Sequence, residues 1–334
     1  MRFAALWALL LAGCVIPPLS DKACPCADGF RCDPARQVCV PRAADEGAIQ
    51  VDALGVAWVT PQQMRWTWTS TGDPEQLRAY ELVVATRAED LSSRSGSAVV
   101  WTVAENPELG RYYLPRTDGQ SPVRATTTDG LQPSTLYFGQ LSAIDVRGKI
   151  SLSNVASQRT ADPPLSSVEI FEDEDTAGYS IPSNMVRSTD RPYRGSHDYR
   201  LVSSCDNGVA ACFMYLRRQG LNLSLAAIPE GSFTTGAYLE VAVAYEGAVP
   251  SYFSAVRLWF GESDPMRLYY FNAWTARADG RWRLIQVPLR ALRDSQDDGT
   301  LQYSELSRGL FELAVGGLWS DGATVRIDAI RIYY

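Results

Sequence analysis

The sequence contains few of the residues on which most catalytic and nucleic-acid-binding sites depend. Its 334 residues include a single histidine, His197, and the formal net charge is -7. His197 lies between Ser196 and Asp198, but adjacent residues of an extended chain point to opposite faces, so this tripeptide is not a catalytic triad. A nucleophile elbow, a phosphate-binding loop and a zinc-protease helix are absent. Because a nucleic-acid backbone requires a basic stripe that this sequence lacks, we expect no nucleic-acid partner.

Long apolar runs are also missing. No segment reaches the roughly eighteen consecutive apolar residues that indicate a membrane-spanning helix. The apolar run near the start, Phe3 to Leu11, is about half that length and follows a positive Met1-Arg2 pair, which predicts a signal peptide over residues 1–13. We therefore expect the remaining chain to fold outside the cytoplasm.

The predicted signal peptide ends in Leu11-Ala12-Gly13-Cys14, a motif that resembles the lipobox of bacterial lipoproteins. The resemblance implies that Cys14 becomes the acylated first residue of the mature chain, with residues 14–23 as a lipidated linker. Several acyl chains attach a protein stably to a membrane surface. By the same resemblance, Val15 favours the outer membrane of a bacterial cell envelope. An unmodified Cys14 near an ordinary cleavage site is the alternative.

The chain has seven cysteines, which leaves six to pair in an oxidising compartment if Cys14 carries lipid. Four lie in a short polar segment, residues 24–40, that cannot form a core without disulfides: Cys24, Cys26, Cys32 and Cys39. Three connectivities stay open. A zinc site is the alternative, although the spacing lacks paired Cys-x-x-Cys motifs and a nearby histidine. Cys205 and Cys212 flank the turn signal Asp206-Asn207-Gly208, which predicts a hairpin closed by a local disulfide.

Residues 46–161 are predicted to form a β-sandwich, because short alternating strands are separated by turn residues about every ten positions. Met64, Trp66 and Trp68 alternate with polar residues, which places these three on one face. The later Leu131-x-Pro133-x-Thr135-x-Tyr137 resembles the corner and following strand of fibronectin type III domains. This resemblance implies that the tyrosine hydroxyl bonds back to the backbone and that the domain is a spacer. Ligand binding by its loops is the alternative.

Residues 162–166, with two consecutive prolines, predict an extended linker, and residues 167–334 again indicate strands. An opening strand ending in Ile170-Phe171-Glu172-Asp173, a middle strand starting at Trp282 and a closing Val-x-Ile-Asp-x-Ile at 325–330 together resemble jelly-roll carbohydrate-binding modules and their galactose-binding-like relatives. The predicted fold class is therefore all-β: two β-sandwich domains, fibronectin type III-like and then jelly-roll, after a small disulfide-rich N-terminal segment.

In the modules that the second domain resembles, the first and last strands often share a structural calcium site. The matching positions here are Glu172, Asp173 and Asp328. Calcium prefers several hard oxygen ligands, which two neighbouring strands can deliver from one edge. The alternative is that the acidic run beginning at Glu172 is a solvated turn. No other cofactor is required.

Alternation in the second domain also predicts a ligand-binding face. If the apolar residues of the strands near 238–245 and 255–260 face the core, the residues between them face outward. With the strand that follows, the predicted outward set is Tyr238, Glu240, Arg257, Trp259, Arg267 and Tyr269. Aromatic rings pack on sugar rings, and arginine and carboxylate groups bond hydroxyls, so this set is typical of a glycan platform. Arginines stacked over surface rings, or rings beneath a loop, are the alternative.

Together these observations predict a non-catalytic lipoprotein, held at a membrane by its lipid, whose second domain binds a glycan or cell-surface polysaccharide. A structural or adhesion lipoprotein that binds another protein is the alternative. Neither domain resembles a hydrolase. Paired carboxylates that cleave a glycosidic bond could nevertheless come from any of the 38 acidic residues, so the sequence leaves that third hypothesis open.

Overall fold

The computed structural model describes residues 22–26, 30–33, 35–41, 49–110, 124–171, 179–180, 185–202, 212–219, 228–246, 252–260, 268–271, 279–294, 299–306, 310–318 and 324–334. Cys14 lies outside this part, so its lipidation stays a prediction. Among the described residues, no helix has the length and apolar character needed to cross a membrane. Nearly all of the secondary structure described is β-strand, which confirms the predicted all-β class.

A small two-stranded sheet lies near the start of the described chain, with β1 (Phe30–Asp33) antiparallel to β2 (Val38–Pro41). Two disulfides join this sheet to the residues before it: Cys24 bonds Cys32, and Cys26 bonds Cys39. The predicted disulfides of this segment are confirmed, and one of the three connectivities is selected. Because all four sulfurs are bonded in pairs, the zinc alternative is wrong.

The first large unit is a sandwich of two antiparallel sheets. In chain order its strands are β3 (Gln50–Val59), β4 (Met64–Thr71), β5 (Leu77–Ala85), β6 (Val99–Trp101), β7 (Arg124–Thr128), β8 (Leu136–Asp145) and β9 (Ile150–Arg159), with helix α1 (Glu89–Ser93) after β5. One sheet has the order β3-β4-β7 and the other has the order β6-β5-β8-β9. This is the seven-strand, two-sheet arrangement expected of a fibronectin type III-like domain.

The core of this sandwich follows the predicted alternation. Met64, Trp66 and Trp68 of β4 are buried, whereas the residues between them are partly exposed. These side chains pack in one cluster with Tyr80 and Leu82 of the facing sheet. Since a large apolar side chain stabilises the fold by about 1.5–3 kcal/mol when buried, the period of two in β4 determines how the two sheets pack.

The corner before β8 also agrees with the sequence. The backbone N–H of Gln132 donates to the Tyr137 hydroxyl oxygen at 2.9 Å. The Thr160 hydroxyl in turn donates to the Gln132 carbonyl at 2.7 Å. The entry into β8 and the end of β9 are thereby tied together, as the resemblance to a fibronectin type III corner implied.

The second large unit contains the remaining strands. In chain order they are β10 (Ser167–Phe171), β11 (Tyr179–Ser180), β12 (Met185–Ser188), β13 (Asp198–Val202), β14 (Cys212–Gln219), β15 (Tyr238–Glu246), β16 (Tyr252–Phe260), β17 (Leu268–Phe271), β18 (Arg283–Pro288), β19 (Arg293–Asp294), β20 (Leu310–Leu318) and β21 (Thr324–Tyr333), with helix α2 (Glu230–Thr235) before β15. Cys212 is the first residue of β14, but Cys205 lies outside the described residues, so their disulfide stays a prediction.

These strands form two six-stranded antiparallel sheets. Sheet I has the order β12-β13-β21-β15-β18, with β10 also paired to β21, and sheet II has the order β11-β14-β20-β16-β17-β19. One face of sheet I carries much of the described core, including Leu239, Val241 and Val243 of β15 and Ile327 of β21. The two antiparallel sheets make the predicted jelly-roll fold.

Candidate functional site

The structure does not bring together the six residues predicted to share a ligand-binding face. Tyr238 and Glu240 lie in β15 of sheet I, whereas Arg257 and Trp259 lie in β16 of sheet II. Arg267 lies outside the described residues. The chain changes sheets between β15 and β16, and alternation within a strand does not reveal which sheet the strand joins. The prediction of one face that includes both strands is therefore wrong.

Strand pairing decides which residues of sheet II share a face. Residues paired directly across antiparallel strands lie on the same face, and successive residues along a strand alternate. Arg257 pairs with Tyr270, whereas Tyr269 pairs with Leu258. Tyr269 therefore lies on the face opposite to Arg257 and Trp259. Its neighbour Tyr270, and not Tyr269, shares the face of Arg257 and Trp259.

The same register extends the face of Arg257 and Trp259 from β14 towards β19. Two rows of paired residues cross it: Tyr215, Ala314, Arg257, Tyr270 and Arg293 in one, and Arg217, Glu312, Trp259 and Leu268 in the other. Three aromatic residues, three arginines and one glutamate thus share a face. We call this set the polar face: Tyr215, Arg217, Arg257, Trp259, Tyr270, Arg293 and Glu312.

The opposite face of sheet II has a different composition. The register places on it mostly apolar residues, with Arg218 as the exception near the end of β14: Met214 and Leu216 of β14, Phe311, Leu313 and Val315 of β20, and Val256, Leu258 and Phe260 of β16. Since an apolar face is stabilised by packing against another apolar face, this composition predicts that the apolar side of sheet II faces inward and that the polar face points outward.

Five of the seven residues of the polar face were missed from the sequence. For two of them the sequence contains a usable pattern, because Tyr215 and Arg217 alternate with apolar neighbours just as Arg257 and Trp259 do. What the sequence did not supply was the order of the strands, which places β20 between β14 and β16. Alternation gives the face of each residue, but only strand pairing joins faces into a surface.

Part of the outer face of sheet I is covered. Residues 189–197, which we call the strap, cross it and are held by hydrogen bonds at several points. The Arg191 guanidinium donates to Glu246 Oε1 and to the Gly280 carbonyl, each at 2.8 Å. The Trp282 indole N–H donates to the Arg191 carbonyl at 2.8 Å, and its ring centroid lies 5.9 Å from that of Tyr193. The strap therefore covers the part of this face near Gly280 and Trp282.

Asp328, one of the three predicted calcium ligands, holds the strap as well. Its Oδ2 accepts the backbone N–H groups of Tyr193 at 2.8 Å and Arg194 at 3.0 Å, and its Oδ1 accepts that of Ala329 at 2.7 Å. Three N–H donors stabilise a buried carboxylate without a cation. Glu172 and Asp173 lie outside the described residues, within which no group of three metal-ligating side chains occurs. Calcium binding stays a prediction.

His197 and its neighbours do not converge on a catalytic site. Ser196 Oγ lies 2.6 Å from His197 Nδ1. Asp198, however, is fully buried, and its Oδ2 accepts a hydrogen bond from Arg326 Nη1 at 2.7 Å. Because its carboxylate is bound to an arginine on β21, Asp198 does not orient the imidazole.

Glu240 is a buried acid rather than a surface ligand. Its Oε2 accepts a hydrogen bond from Gln286 Nε2 at 2.6 Å, and the residue is 5% exposed. Burial raises the pKa of Glu240 above its ordinary value, and the hydrogen bonds from Gln286 and Tyr333 oppose that rise. Burial likewise raises the pKa of Tyr238, whose ring stacks on Tyr333 with centroids 5.3 Å apart.

No protein-family model matches the chain, and no curated protein matches its sequence. Among solved structures, a surface glycan-binding protein from Prevotella bryantii is similar over 91% of this chain and 81% of its own, with 9% identity and a TM-score of 0.34. A family 11 carbohydrate-binding module from Clostridium thermocellum, in complex with a mixed-linked tetrasaccharide, is similar over 50% of this chain and 94% of its own, with 11% identity and a TM-score of 0.30. The FN3 domain of human collagen XX is similar over 36% and 100%, with 20% identity and a TM-score of 0.23.

The chain spans only 26% of the length of astrotactin-2 and 21% of that of a Yersinia enterocolitica exopolygalacturonase, two further structures to which it is similar. Strand order, register and the two disulfides define a disulfide-bonded segment followed by a fibronectin type III-like and a jelly-roll sandwich.

Proposed function

We propose that this chain is a non-catalytic lipoprotein of the bacterial cell envelope that binds a glycan through the polar face of sheet II. The observation that carries the proposal is the register of β14, β20, β16 and β17, which places three aromatic residues, three arginines and a glutamate on one face. Aromatic residues bind the apolar faces of sugar rings, and arginine and carboxylate groups bind their hydroxyls. Two of the proteins to which the chain is similar bind glycans.

The composition of this face also favours one kind of glycan. The polar face has three arginines and one glutamate and is therefore basic, although the formal net charge of the whole chain is -7. Guanidinium groups form paired hydrogen bonds with carboxylates and sulfates. We therefore expect an acidic polysaccharide to bind more tightly than a neutral polymer of the same size, and added salt to weaken that preference.

Affinity electrophoresis of the whole mature chain tests the proposal. Retention on a polysaccharide gel is expected to fall in Trp259→Ala and Tyr270→Ala. Trp282→Ala is the matched control, because it removes a tryptophan from the covered face of the other sheet. Thermal unfolding establishes that each variant is folded. Absence of retention on neutral and acidic polymers alike, or an equal loss in Trp282→Ala, contradicts glycan binding by this face.

Membrane attachment is proposed on the lipobox resemblance and needs its own test. Cells that express the chain are expected to incorporate labelled palmitate into it and to retain it in the membrane fraction. Cys14→Ser is expected to abolish both properties. Mass spectrometry of the mature protein identifies the first residue and its modification. An unmodified amino terminus at another position contradicts the anchor and leaves the glycan-binding proposal untouched.

Adhesion to another protein is the second candidate function. The observation that favours it is a row of exposed aliphatic side chains on β9, in which Ile150 is 53% exposed and Leu152 is 58% exposed. Such rows often mark protein contacts. A photo-crosslinking residue at position 152 is expected to give a discrete protein adduct on cells. The same residue at Leu165, in the linker, is the control.

A further inference from the structure

The two sandwiches meet at the turn between β3 and β4. In this turn the side-chain amide of Gln63 contacts β18, which is an edge strand of sheet I. Gln63 Nε2 donates to the Leu284 carbonyl at 2.6 Å, and Gln63 Oε1 accepts the backbone N–H of Gln286 at 3.0 Å. Edge strands present unpaired backbone groups. Gln63 pairs one N–H and one C=O of this edge, as a neighbouring strand would.

A chain of side-chain hydrogen bonds continues from this contact into sheet I. The Thr60 hydroxyl donates to Gln286 Oε1 at 2.6 Å, and Gln286 Nε2 donates to Glu240 Oε2 at 2.6 Å. Thr60, Gln63 and Gln286 are each buried, although two of them belong to a turn, where polar residues are ordinarily exposed. Buried polar groups are costly unless they are bonded, so separation of the domains would need water to replace each of these bonds.

The linker between the sandwiches is held at both ends. The backbone N–H of Ala161 donates to the Thr60 carbonyl at 3.2 Å, which ties the linker to the turn that contacts β18. At the other end, Ser166 and Tyr334 exchange two backbone hydrogen bonds, at 2.9 and 3.0 Å. Only residues 162–165 lie between these points, and two of them are prolines, so little of the linker is free to bend.

From these contacts we infer that the fibronectin type III-like domain and the jelly-roll domain form one rigid body, with Gln63 and Gln286 as its positioning residues. The first domain is then a fixed part of the unit that presents the polar face and not a flexible spacer. The inference does not depend on the proposed ligand, because every contact lies on sheet I and in the first domain.

Spin labels test the rigid body directly. Val99 and Val186 are exposed strand residues in the first and second domains, and labelled cysteines at these positions give the distribution of distances between the domains. A narrow distribution is expected in the otherwise unchanged mature chain. A broad distribution in that chain overturns the proposal without any further variant.

Variants of the contact then assign the residues. Gln63→Ala and the shorter Gln63→Asn are expected to broaden the distribution. They are also expected to speed amide exchange in the 284–288 peptide at least about tenfold, which corresponds to about 1.4 kcal/mol. Gln62→Ala is the matched control, because Gln62 is its exposed neighbour in the same turn. The assignment is overturned if the folded Gln63 variants have the same amide exchange rates and the same distance distribution as Gln62→Ala.

Discussion

Gly139 lies against the indole of Trp66, so closely that a β-carbon at position 139 would be 2.5 Å from Cη2 and 2.6 Å from Cζ3 of that ring. Trp66 is fully buried at the centre of the first sandwich, and its indole N–H donates to Thr128 Oγ1 at 3.1 Å. The ring is therefore held on one side by a hydrogen bond and on the other by the bare backbone of β8.

Gly139→Ala is expected to destabilise the first sandwich, because neither the indole nor the strand backbone can move without breaking other contacts. Overpacking of this kind lowers the free energy of unfolding by about 1–3 kcal/mol. Gly55→Ala is the control, since a β-carbon at position 55 meets only Thr67 Oγ1 at an ordinary 3.8 Å. Urea unfolding measures both. Equal stabilities in the two variants would show that the indole can shift.

Tyr137→Phe tests the corner before β8. The change leaves the nearly buried ring in place but removes the acceptor of the Gln132 N–H. A buried donor left without its partner costs about 1–3 kcal/mol, so the midpoint of urea unfolding is expected to fall. Tyr334→Phe, at a half-buried ring in the second sandwich, is the comparison. No loss of stability in Tyr137→Phe would mean that water replaces the hydroxyl.

The buried acid Glu240 predicts a pH dependence of stability. Burial raises the pKa of this carboxyl in the folded chain above its unfolded value. Between the two values the folded state binds the proton more tightly, so stability is highest at low pH and falls as the pH rises through the folded pKa. Glu240→Gln keeps an acceptor for Gln286 and lacks the charge. Its stability relative to the unchanged chain is expected to increase with pH.

Asp279 provides an internal comparison of opposite sign. The Arg283 guanidinium, which donates to both of its carboxylate oxygens, lowers the pKa of Asp279 to about 2. The contribution of the Asp279 carboxylate to the free energy of unfolding is present above the unfolded pKa and is lost as the pH falls through the folded pKa. Asp279→Asn is therefore expected to differ from the unchanged chain at neutral pH and to approach it in acid. The same slope for both variants contradicts the assignment to Glu240.

Peptide mapping without reduction tests the remaining cysteine pair. We expect a linked peptide that contains Cys205 and Cys212, alongside the Cys24–Cys32 and Cys26–Cys39 pairs of the N-terminal segment. The loop closed by the predicted bond is short, so its removal is expected to lower the unfolding midpoint only slightly. Alkylation of Cys212 in the untreated protein would contradict the bond.

The sequence predicted those parts of the fold that depend on local pattern. The aromatic alternation of β4 and the motif around Tyr137 are local, because one face of each strand is buried and the turn chemistry lies within a few residues. The phase of β17 could not be read, since Leu268-Tyr-Tyr-Phe271 has no polar residue to distinguish its faces. The sheet that β16 joins is a non-local property, decided by its pairing with β20, about fifty residues later.

The contact of Gln63 with β18 has a consequence for modularity. Fibronectin type III-like domains are regarded as interchangeable modules, because each folds around its own core. Suppose that the first domain of this chain is replaced by one that lacks glutamine in the turn between its first two strands. The Leu284 carbonyl and the Gln286 N–H would then lose their hydrogen bonds to Gln63. We therefore expect that recombination between such proteins exchanges the two sandwiches together, as one unit.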